Sequence, residues 1–202
     1  MQLVIAITGA SGTIYGLRLV KELLGRGDDV NLIISPPGFM VLKEEVGLTL
    51  EGKRDKIQET LKTFLGKKEC NLKYIPSDDL LSPLSSGSAL VKLMIICPCS
   101  MGTIARIACG ISSNLIERVA DCLLKERGRL ILVPRETPLN TIHLENMLKL
   151  SRMGVSIVPA MPGFYIQPKT VDEMVNFMVG KILDSAGIDN ELYKRWGGKQ
   201  KQ

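Results

Sequence analysis

The stretch AITGASGTIYG, residues 6–16, begins within the last residues of the apolar run 3–7 and decides the fold. An apolar run, a glycine-bounded turn and a helical pattern together indicate the first strand, loop and helix of an α/β protein. The turn is not the GxGxxG dinucleotide fingerprint, because it reads Gly-Ala-Ser-Gly and the next glycine is Gly16. A dinucleotide, a mononucleotide and no ligand at all are each compatible with these residues alone.

Four further short runs have the near-continuous apolar character of strands that are covered on both faces. With the first run, they predict parallel strands over residues 3–8, 30–35, 91–97, 130–133 and 155–158. Helical patterns lie over residues 13–24, 36–46, 53–65, 101–109, 114–127, 139–153 and 171–185. This alternation predicts a three-layer, doubly wound parallel α/β sheet of the Rossmann or flavodoxin-like type.

Composition limits the possible partners. The 202 residues are 45% hydrophobic, which suffices for one domain over residues 1–202 with its own core. A net charge of +5 arises from 26 basic and 21 acidic side chains spread along the chain. That balance is mild for a nucleic-acid-binding protein and suits an anionic small molecule. Only the C-terminal tail from Lys194 concentrates basic residues, and we interpret it as solvated.

Cysteine and histidine usage indicates a cytoplasmic protein without a metal centre. No run reaches the roughly 20 apolar residues of a membrane span, and the first residues lack the features of a signal peptide. The five cysteines, with Cys97 and Cys99 separated by one proline, make neither a disulfide framework nor a CxxC pair. Reduced thiols are therefore expected. His143 is the only histidine, so no His-based metal site is expected.

Ligands of doubly wound sheets bind beyond the carboxyl ends of the strands. Ser35 follows the second predicted strand, where dinucleotide-binding domains often place an acidic residue, and this favours a mononucleotide over NAD. Ser100 and Thr103 flank the start of a helix and could cradle a phosphate, although ordinary helix capping explains them equally well. The segments that follow the predicted strands are residues 9–12, Ser35, and residues 98–103, 134–137 and 159–165.

Several charged residues and one serine-rich segment could have either a structural or a functional role. Arg118 and Lys125 are seven residues apart and so share a helix face, where they could grip a phosphate or form surface salt bridges. Arg135 and Glu136 directly follow a buried strand, where both need partners, and this favours a functional role. The segment SSGS, residues 85–88, is either a flexible linker or an anion-binding nest. Glu45 by itself indicates only a solvated helix residue.

Longer motifs resemble the UbiX-type flavin prenyltransferases, which are flavoproteins of the HFCD type. They run in the family's order from Thr8 to Gly197: TGASGTIYG, CPCSMGT, SNLIERVAD, LKERGRLILVPRETPLNTIHLENMLKLS, PAMPGFYIQP and RWG. The resemblance implies a metal-independent transferase that joins dimethylallyl from dimethylallyl monophosphate to N5 and C6 of reduced FMN and releases phosphate. It also implies that a UbiD-type decarboxylase receives the prenylated FMN. A homododecamer with flavin sites at subunit junctions is implied as well.

The resemblance further implies roles for individual residues. Ser11 would lie near the flavin N5, and the FMN site would comprise Gly9, Ala10, Ser11, Ser35, Ser100, Met101, Gly102, Thr103 and Arg135. The prenyl phosphate would be held by Ser86, Gly87, Arg118, Lys125, Tyr165 and Lys181, with Trp196 closing the site. The candidate catalytic residues are Ser11, Lys125 and Tyr165 with the proton-transfer carboxylates Glu45 and Glu136. Lys181 stands where some members have arginine, which keeps the charge but loses a bidentate grip.

Two alternatives remain at this point. Peptidyl- and phosphopantothenoyl-cysteine decarboxylases share the layout of strand ends, but they carry an Asn after the PAM-like triplet and a catalytic His after the second strand. Here Pro162 follows residues 159–161, and the single histidine is His143. The second alternative is a non-catalytic flavin-binding subunit of a decarboxylase complex. It is disfavoured because Arg118, Lys125, Glu136 and Tyr165 are all present.

Overall fold

The sheet of this protein has the strand order of a doubly wound Rossmann fold. The computed structural model describes residues 1–89 and 91–195. Six strands, β3-β2-β1-β4-β5-β6 in spatial order, pair in parallel. This parallel order confirms the predicted fold class. The order reverses between β1 and β4, and sheets of this kind bind their ligands at that point. The strands are β1 (Gln2–Ile7), β2 (Asp29–Ile34), β3 (Leu72–Pro76), β4 (Leu93–Cys99), β5 (Arg129–Pro134) and β6 (Ser156–Ile157).

Helices cover both faces of this sheet. They are α1 (Thr13–Gly25), α2 (Pro36–Val46), α3 (Arg54–Leu65), α4 (Met101–Ala108), α5 (Leu115–Lys125), α6 (Thr141–Arg152) and α7 (Val171–Ser185). Helices α1, α2, α3 and α7 share one core with Ile5 and Ile7, whereas α4, α5 and α6 share the other with Val4 and Ala6. Successive strand residues thus face opposite layers, and this is why the strands read as continuous apolar runs.

The five predicted strands lie within two residues of β1, β2, β4, β5 and β6 at each end, and one strand was not predicted. The edge strand β3 was missed because exposed Lys73 interrupts its apolar residues, so it lacks the continuous run of a strand that is covered on both faces. Strand β4 ends at Cys99 rather than at Cys97, because Cys99 is still paired with Pro134 beyond a shift of register.

Two glycines let helices approach the strand ends closely. A Cβ at Gly16 would lie 2.2 Å from the carbonyl oxygen of Cys97, and a Cβ at Gly38 would lie 2.8 Å from that of Ile7. Any other residue would push α1 or α2 off the sheet at these points. The first turns of both helices therefore lie directly against the carboxyl ends of β1 and β4.

The segment that follows α7 packs back on that helix as far as Arg195. Lys194 and Arg195 are exposed, as expected of a solvated tail, and the rest of that tail lies outside the described residues. Arg195 Nη2 donates to Asp184 Oδ1 at 2.8 Å, and the Tyr193 hydroxyl donates to the same carboxylate. The Tyr193 ring also packs edge-on against Phe177, with ring centroids 5.0 Å apart. In the described part of the chain, no helix has both the length and the apolar character needed to cross a membrane.

Candidate functional site

The loops that follow β1, β2 and β4 are tied together by hydrogen bonds at one edge of the sheet. The backbone N–H of Ser35 donates to the carbonyl of Ile7 at 3.0 Å. The N–H of Ser100 donates to Thr8 Oγ1 at 2.8 Å, and this hydroxyl donates to the carbonyl of Pro98 at 2.9 Å. Residues from three strands thus form one surface, which includes Gly9, Ala10, Ser11, Ser35, Ser100, Met101, Gly102 and Thr103.

Two helices begin at this edge with hydroxyl caps. Ser35 Oγ accepts from the N–H of Gly38 at 3.2 Å, and Ser100 Oγ accepts from the N–H of Thr103 at 3.3 Å. Ordinary capping, one of the two interpretations of Ser100, therefore occurs. The N-termini of α2 and α4 both present partial positive charge here, so the edge suits an anionic ligand group.

Glu45 caps a helix other than its own. Its carboxylate accepts from the backbone N–H groups of Gly12 at 3.0 Å and Thr13 at 2.9 Å, and from Thr13 Oγ1 at 2.8 Å. Partial burial raises the pKa of this carboxyl, but hydrogen bonds from Ser11, Thr13 and the two N–H groups outweigh burial and hold the pKa below its ordinary value. Glu45 is exposed, as the sequence indicates, but its carboxylate also caps the start of α1.

Tyr15 belongs to the same region, although sequence reasoning did not single it out. Burial raises the pKa of its phenol, and the buried Cys97 and the carboxylate of Glu45 act in the same direction, while Arg135 opposes them. Tyr15 thus lies within electrostatic reach of both the β1–α1 loop and the residue after β5. Its place in the motif GTIYG, one helical turn after the loop, was the signal available.

Arg135 and Glu136 extend the same edge past β5. Both side chains are exposed, so the burial cost expected for them does not arise within this chain. Glu136 Oε1 accepts from the N–H of Thr137 at 3.0 Å. The carboxyl group of Glu136 therefore remains accessible at the end of the strand.

A second group of predicted residues gathers around the segment 85–88. Arg118 Nε donates to the carbonyl of Ser85 at 3.0 Å, and Lys125 Nζ lies 2.9 Å from the position of a Cβ on Gly87. The Ser86 hydroxyl hydrogen-bonds that of Ser88 at 2.8 Å. Arg118 and Lys125 thus share one helix face, as predicted. Each also pairs with a neighbouring carboxylate, Asp121 at 3.1 Å and Glu126 at 3.5 Å respectively, so salt bridges are present too.

This second group lies at the amino ends of the strands, whereas the strand-end loops lie at their carboxyl ends. Lys125 is the last residue of α5 and precedes β5, and the segment 85–88 precedes β4. Glu136 follows β5, which is six residues long, so at roughly 3.3 Å per residue the two ends are about 20 Å apart. Within one chain, the cationic group and the strand-end loops do not form a common site.

Tyr165 and Lys181 form a third group, on the α7 side of the sheet. The Tyr165 ring packs edge-on against Phe177 with centroids 5.5 Å apart, and Lys181 Nζ lies 6.0 Å from the ring centroid of Tyr193. Helix α7 covers the face opposite to α5, so these residues do not approach Arg118 or Lys125. Trp196 lies outside the described residues.

A buried ion pair connects α4 to α5, and sequence reasoning missed it. The side chain of Glu117 is 0% exposed and accepts from the Arg106 guanidinium and from the N–H of Ser113 at 2.8 Å. A glutamate on the apolar face of an amphipathic helix was the available signal, because a buried carboxylate requires partners.

The single histidine has a structural role in α6. His143 Nδ1 accepts from the N–H of Asn140 at 3.4 Å, and Asn140 Oδ1 accepts from the N–H of His143 at 2.9 Å. This reciprocal arrangement is a capping box. Over residues 1–89 and 91–195, no three metal-binding side chains come together.

The fold and the strand-end loops define a nucleotide-binding type of α/β protein. A family model described as Flavoprotein matches residues 1–183. A flavin prenyltransferase UbiX from Halalkalibacterium halodurans is 51% identical over 193 residues, which cover 96% of this chain and 92% of that protein. The chain belongs to the UbiX family of flavoproteins, so the resemblance seen in the motifs is confirmed.

Solved structures agree with this assignment. AnUbiX, in complex with FMN and dimethylallyl pyrophosphate, aligns with TM-score 0.85 at 35% identity, covering 98% of both chains. A dodecameric FMN-dependent UbiX-like decarboxylase from Escherichia coli O157:H7 aligns with TM-score 0.84 at 38% identity, covering 98% of this chain and 100% of that one. A peptidyl-cysteine decarboxylase aligns with TM-score 0.54 at 21% identity over 80% of this chain and 87% of its own, which shows a shared fold alone.

Proposed function

We propose that this chain is a flavin prenyltransferase that joins the dimethylallyl group of dimethylallyl monophosphate to N5 and C6 of reduced FMN and releases phosphate. The observation that carries the proposal is 51% identity across nearly the whole chain to a protein of that name. A solved relative in complex with FMN and dimethylallyl pyrophosphate supports FMN and a dimethylallyl phosphate ester as ligands. The rival of a non-catalytic subunit has no comparable support.

FMN fits the edge formed by the loops after β1, β2 and β4. The N-termini of α2 and α4 and the hydroxyls of Ser35 and Ser100 suit a phosphate or carbonyl oxygen. Ser11, on the β1–α1 loop, hydrogen-bonds the carboxylate of Glu45, which belongs to α2. From this position the Ser11 hydroxyl would face the flavin ring near N5. The residues proposed to hold FMN are Gly9, Ala10, Ser11, Ser35, Ser100, Met101, Gly102, Thr103 and Arg135.

The cationic residues lower the barrier for loss of phosphate. Reduced FMN, when bound, supplies the electron-rich N5 and C6 atoms. As the allylic C–O bond breaks, negative charge grows on the leaving phosphate, and donors fixed in advance stabilise that charge. We assign this role to Arg118, Lys125, Tyr165 and Lys181, with Ser86 and Gly87 contacting the phosphate and Trp196 closing the site.

The two carboxylates have different capacities for proton transfer. Four hydrogen-bond donors lower the pKa of Glu45 and keep it ionised at neutral pH, so it has no proton to donate and is a weak base. Glu136 is exposed at the end of β5, where it accepts from one backbone N–H, so its carboxyl group is accessible to a bound substrate. We assign delivery of the proton to the departing phosphate to Glu136, whereas Glu45 orders the β1–α1 loop.

A complete site requires more than one copy of the chain. The phosphate-binding group around Lys125 and the strand-end loops lie at opposite edges of the sheet, so a neighbouring copy supplies one of them. Helix α6 also leaves apolar side chains exposed, namely Ile142, Leu144 and Leu148. A dodecameric relative supports a homododecamer for this chain.

Residues 1–202 act as one flavin-binding domain, and the prenylated FMN passes to a UbiD-type decarboxylase. All five cysteines are free thiols, as in proteins of a reducing compartment, and this supports a cytoplasmic location.

The direct test is anaerobic incubation of the purified protein with reduced FMN and dimethylallyl monophosphate, followed by mass spectrometry of the released flavin. We expect a flavin that has gained one five-carbon unit, together with one equivalent of inorganic phosphate. Unchanged flavin in the presence of both substrates would refute the transferase activity. A parallel incubation with riboflavin tests whether the acceptor must carry its phosphate.

A further inference from the structure

The hydrogen bonds at the start of α4 extend beyond the strand-end loops to Arg106. The fully buried Glu117 binds the Arg106 guanidinium and thereby fixes its position. From there the guanidinium reaches back over the first turn of α4. Its Nη2 lies 3.3 Å from Thr103 Oγ1, and its Nη1 lies 3.3 Å from the position of a Cβ on Gly102.

Arg106 determines which of the two hydroxyls, Ser100 or Thr103, donates the hydrogen bond between them. A guanidinium can only donate, so Thr103 Oγ1 accepts from it. If Ser100 donated to Thr103 Oγ1, Ser100 and Arg106 would fill both lone pairs of that oxygen. The Thr103 proton, in a residue that is 4% exposed, would then lack an acceptor among the hydrogen bonds of the described residues. Donation from Thr103 to Ser100 Oγ, across 3.0 Å, satisfies both groups.

The Ser100 hydroxyl then has only its proton available for a further hydrogen bond. Its oxygen accepts from the Thr103 hydroxyl at 3.0 Å and from the Thr103 backbone N–H at 3.3 Å. Both lone pairs are used, so only the hydroxyl proton remains available. That proton belongs to the N-cap of α4, at the edge where FMN is proposed to bind.

We infer that Arg106 is a positioning residue of the flavin site, which makes the Ser100 hydroxyl a donor toward an acceptor oxygen of FMN. The inference rests on the proposed function, because it assumes that FMN occupies the carboxyl edge of the sheet. Arg106 acts through Thr103 and Ser100, and Glu117 keeps it in place.

A double-mutant cycle tests this coupling. The dissociation constant of FMN is measured for wild type, Arg106→Met, Ser100→Ala and the double variant. Each single variant should bind FMN about tenfold more weakly, the effect of one lost hydrogen bond to a ligand. The double variant should bind no more weakly than Ser100→Ala alone. Losses that multiply would show that Arg106 acts independently of Ser100 and would overturn the inference.

Controls separate this coupling from a loss of folding. Arg18→Met removes a cation that pairs with Asp172 on another helix, and it should leave FMN affinity unchanged. Thr103→Val removes the connecting hydroxyl and should weaken binding as Arg106→Met does, without further loss in the Arg106→Met/Thr103→Val combination. If the wild type fails to bind FMN, the proposed function fails as well. If it binds and Arg106→Met binds equally well, this inference alone is refuted.

Discussion

Lys125 and Glu136 stand on either side of β5, one before its first residue and the other after its last, about 20 Å apart. Both are assigned to one reaction, so a working site takes them from two different chains. Lys125→Met and Glu136→Gln should each be nearly inactive alone. Co-expressed in one cell, they should regain roughly a quarter of wild-type activity, because in random assemblies that fraction of sites is intact.

The control for this complementation pairs Lys125→Met with the double variant Lys125→Met/Glu136→Gln. That mixture contains no Lys125 in any chain, so its activity should not rise. Failure of the first mixture to recover, in assemblies shown by mass spectrometry to contain both variants, would place both residues of each site in the same chain.

Glu136→Gln is expected to separate binding from catalysis. The amide still accepts the hydrogen bond from Thr137, so the loop geometry and FMN affinity should be retained. Loss of the acid should slow prenyl transfer by about 100-fold, the usual scale of one general acid. Single-turnover rates and FMN titration check the two halves of this prediction. Loss of FMN together with activity would mark Glu136 as structural.

Glu45→Gln should destabilise the protein at neutral pH by about 1 kcal/mol, because α1 loses its anionic cap. The pKa of Glu45 is lowered in the folded state, so its contribution is present above the ordinary glutamate pKa and is lost as pH falls through the lowered value. The difference between variant and wild type should therefore shrink on acidification. Urea unfolding at several pH values measures it.

Glu44→Gln is the matched control for that experiment. Glu44 is the exposed neighbour of Glu45 on α2 and changes the net charge equally. A pH-dependent loss of the same size in Glu44→Gln would attribute the effect to overall charge rather than to the cap.

Alkylation should distinguish the cysteines. Burial raises the pKa of the Cys97 and Cys99 thiols far above neutrality, whereas Cys109 is exposed. The thiolate is the reactive form, so iodoacetamide at pH 7.5 should modify Cys109 in the native protein and leave Cys97 and Cys99 unmodified until it is denatured. Peptide mass spectrometry checks this, and early labelling of Cys97 would contradict the packing at the end of β4.

Most of the fold could be predicted because buried parallel strands are continuous apolar runs and five of the helices between or after them begin at a Ser, Thr or Asn cap. The predicted ranges 36–46 and 171–185 coincide with α2 and α7. Strand β3 escaped because the exposed Lys73 interrupts its apolar residues. Its existence depends on pairing with β2, which is a tertiary property.

The site was less accessible from sequence. The strand-end residues were found because the ends of parallel strands share one edge. The contact of Glu45 with Thr13, by contrast, joins residues 32 positions apart and leaves no local pattern. The separation of Lys125 from Glu136 follows from the direction of β5, so a list of motif residues alone could not reveal it.

The carboxylate of Glu45 also decides which nucleotides this Rossmann sheet can hold. In dinucleotide-binding relatives of the fold, the N-terminus of the first helix receives the pyrophosphate. Here the same N–H groups, those of Gly12 and Thr13, already bind an anion that belongs to the protein. A pyrophosphate placed there would meet like charge and find its donors taken. The chain thus fills, with its own carboxylate, the position at which NAD and FAD place their pyrophosphate in those relatives.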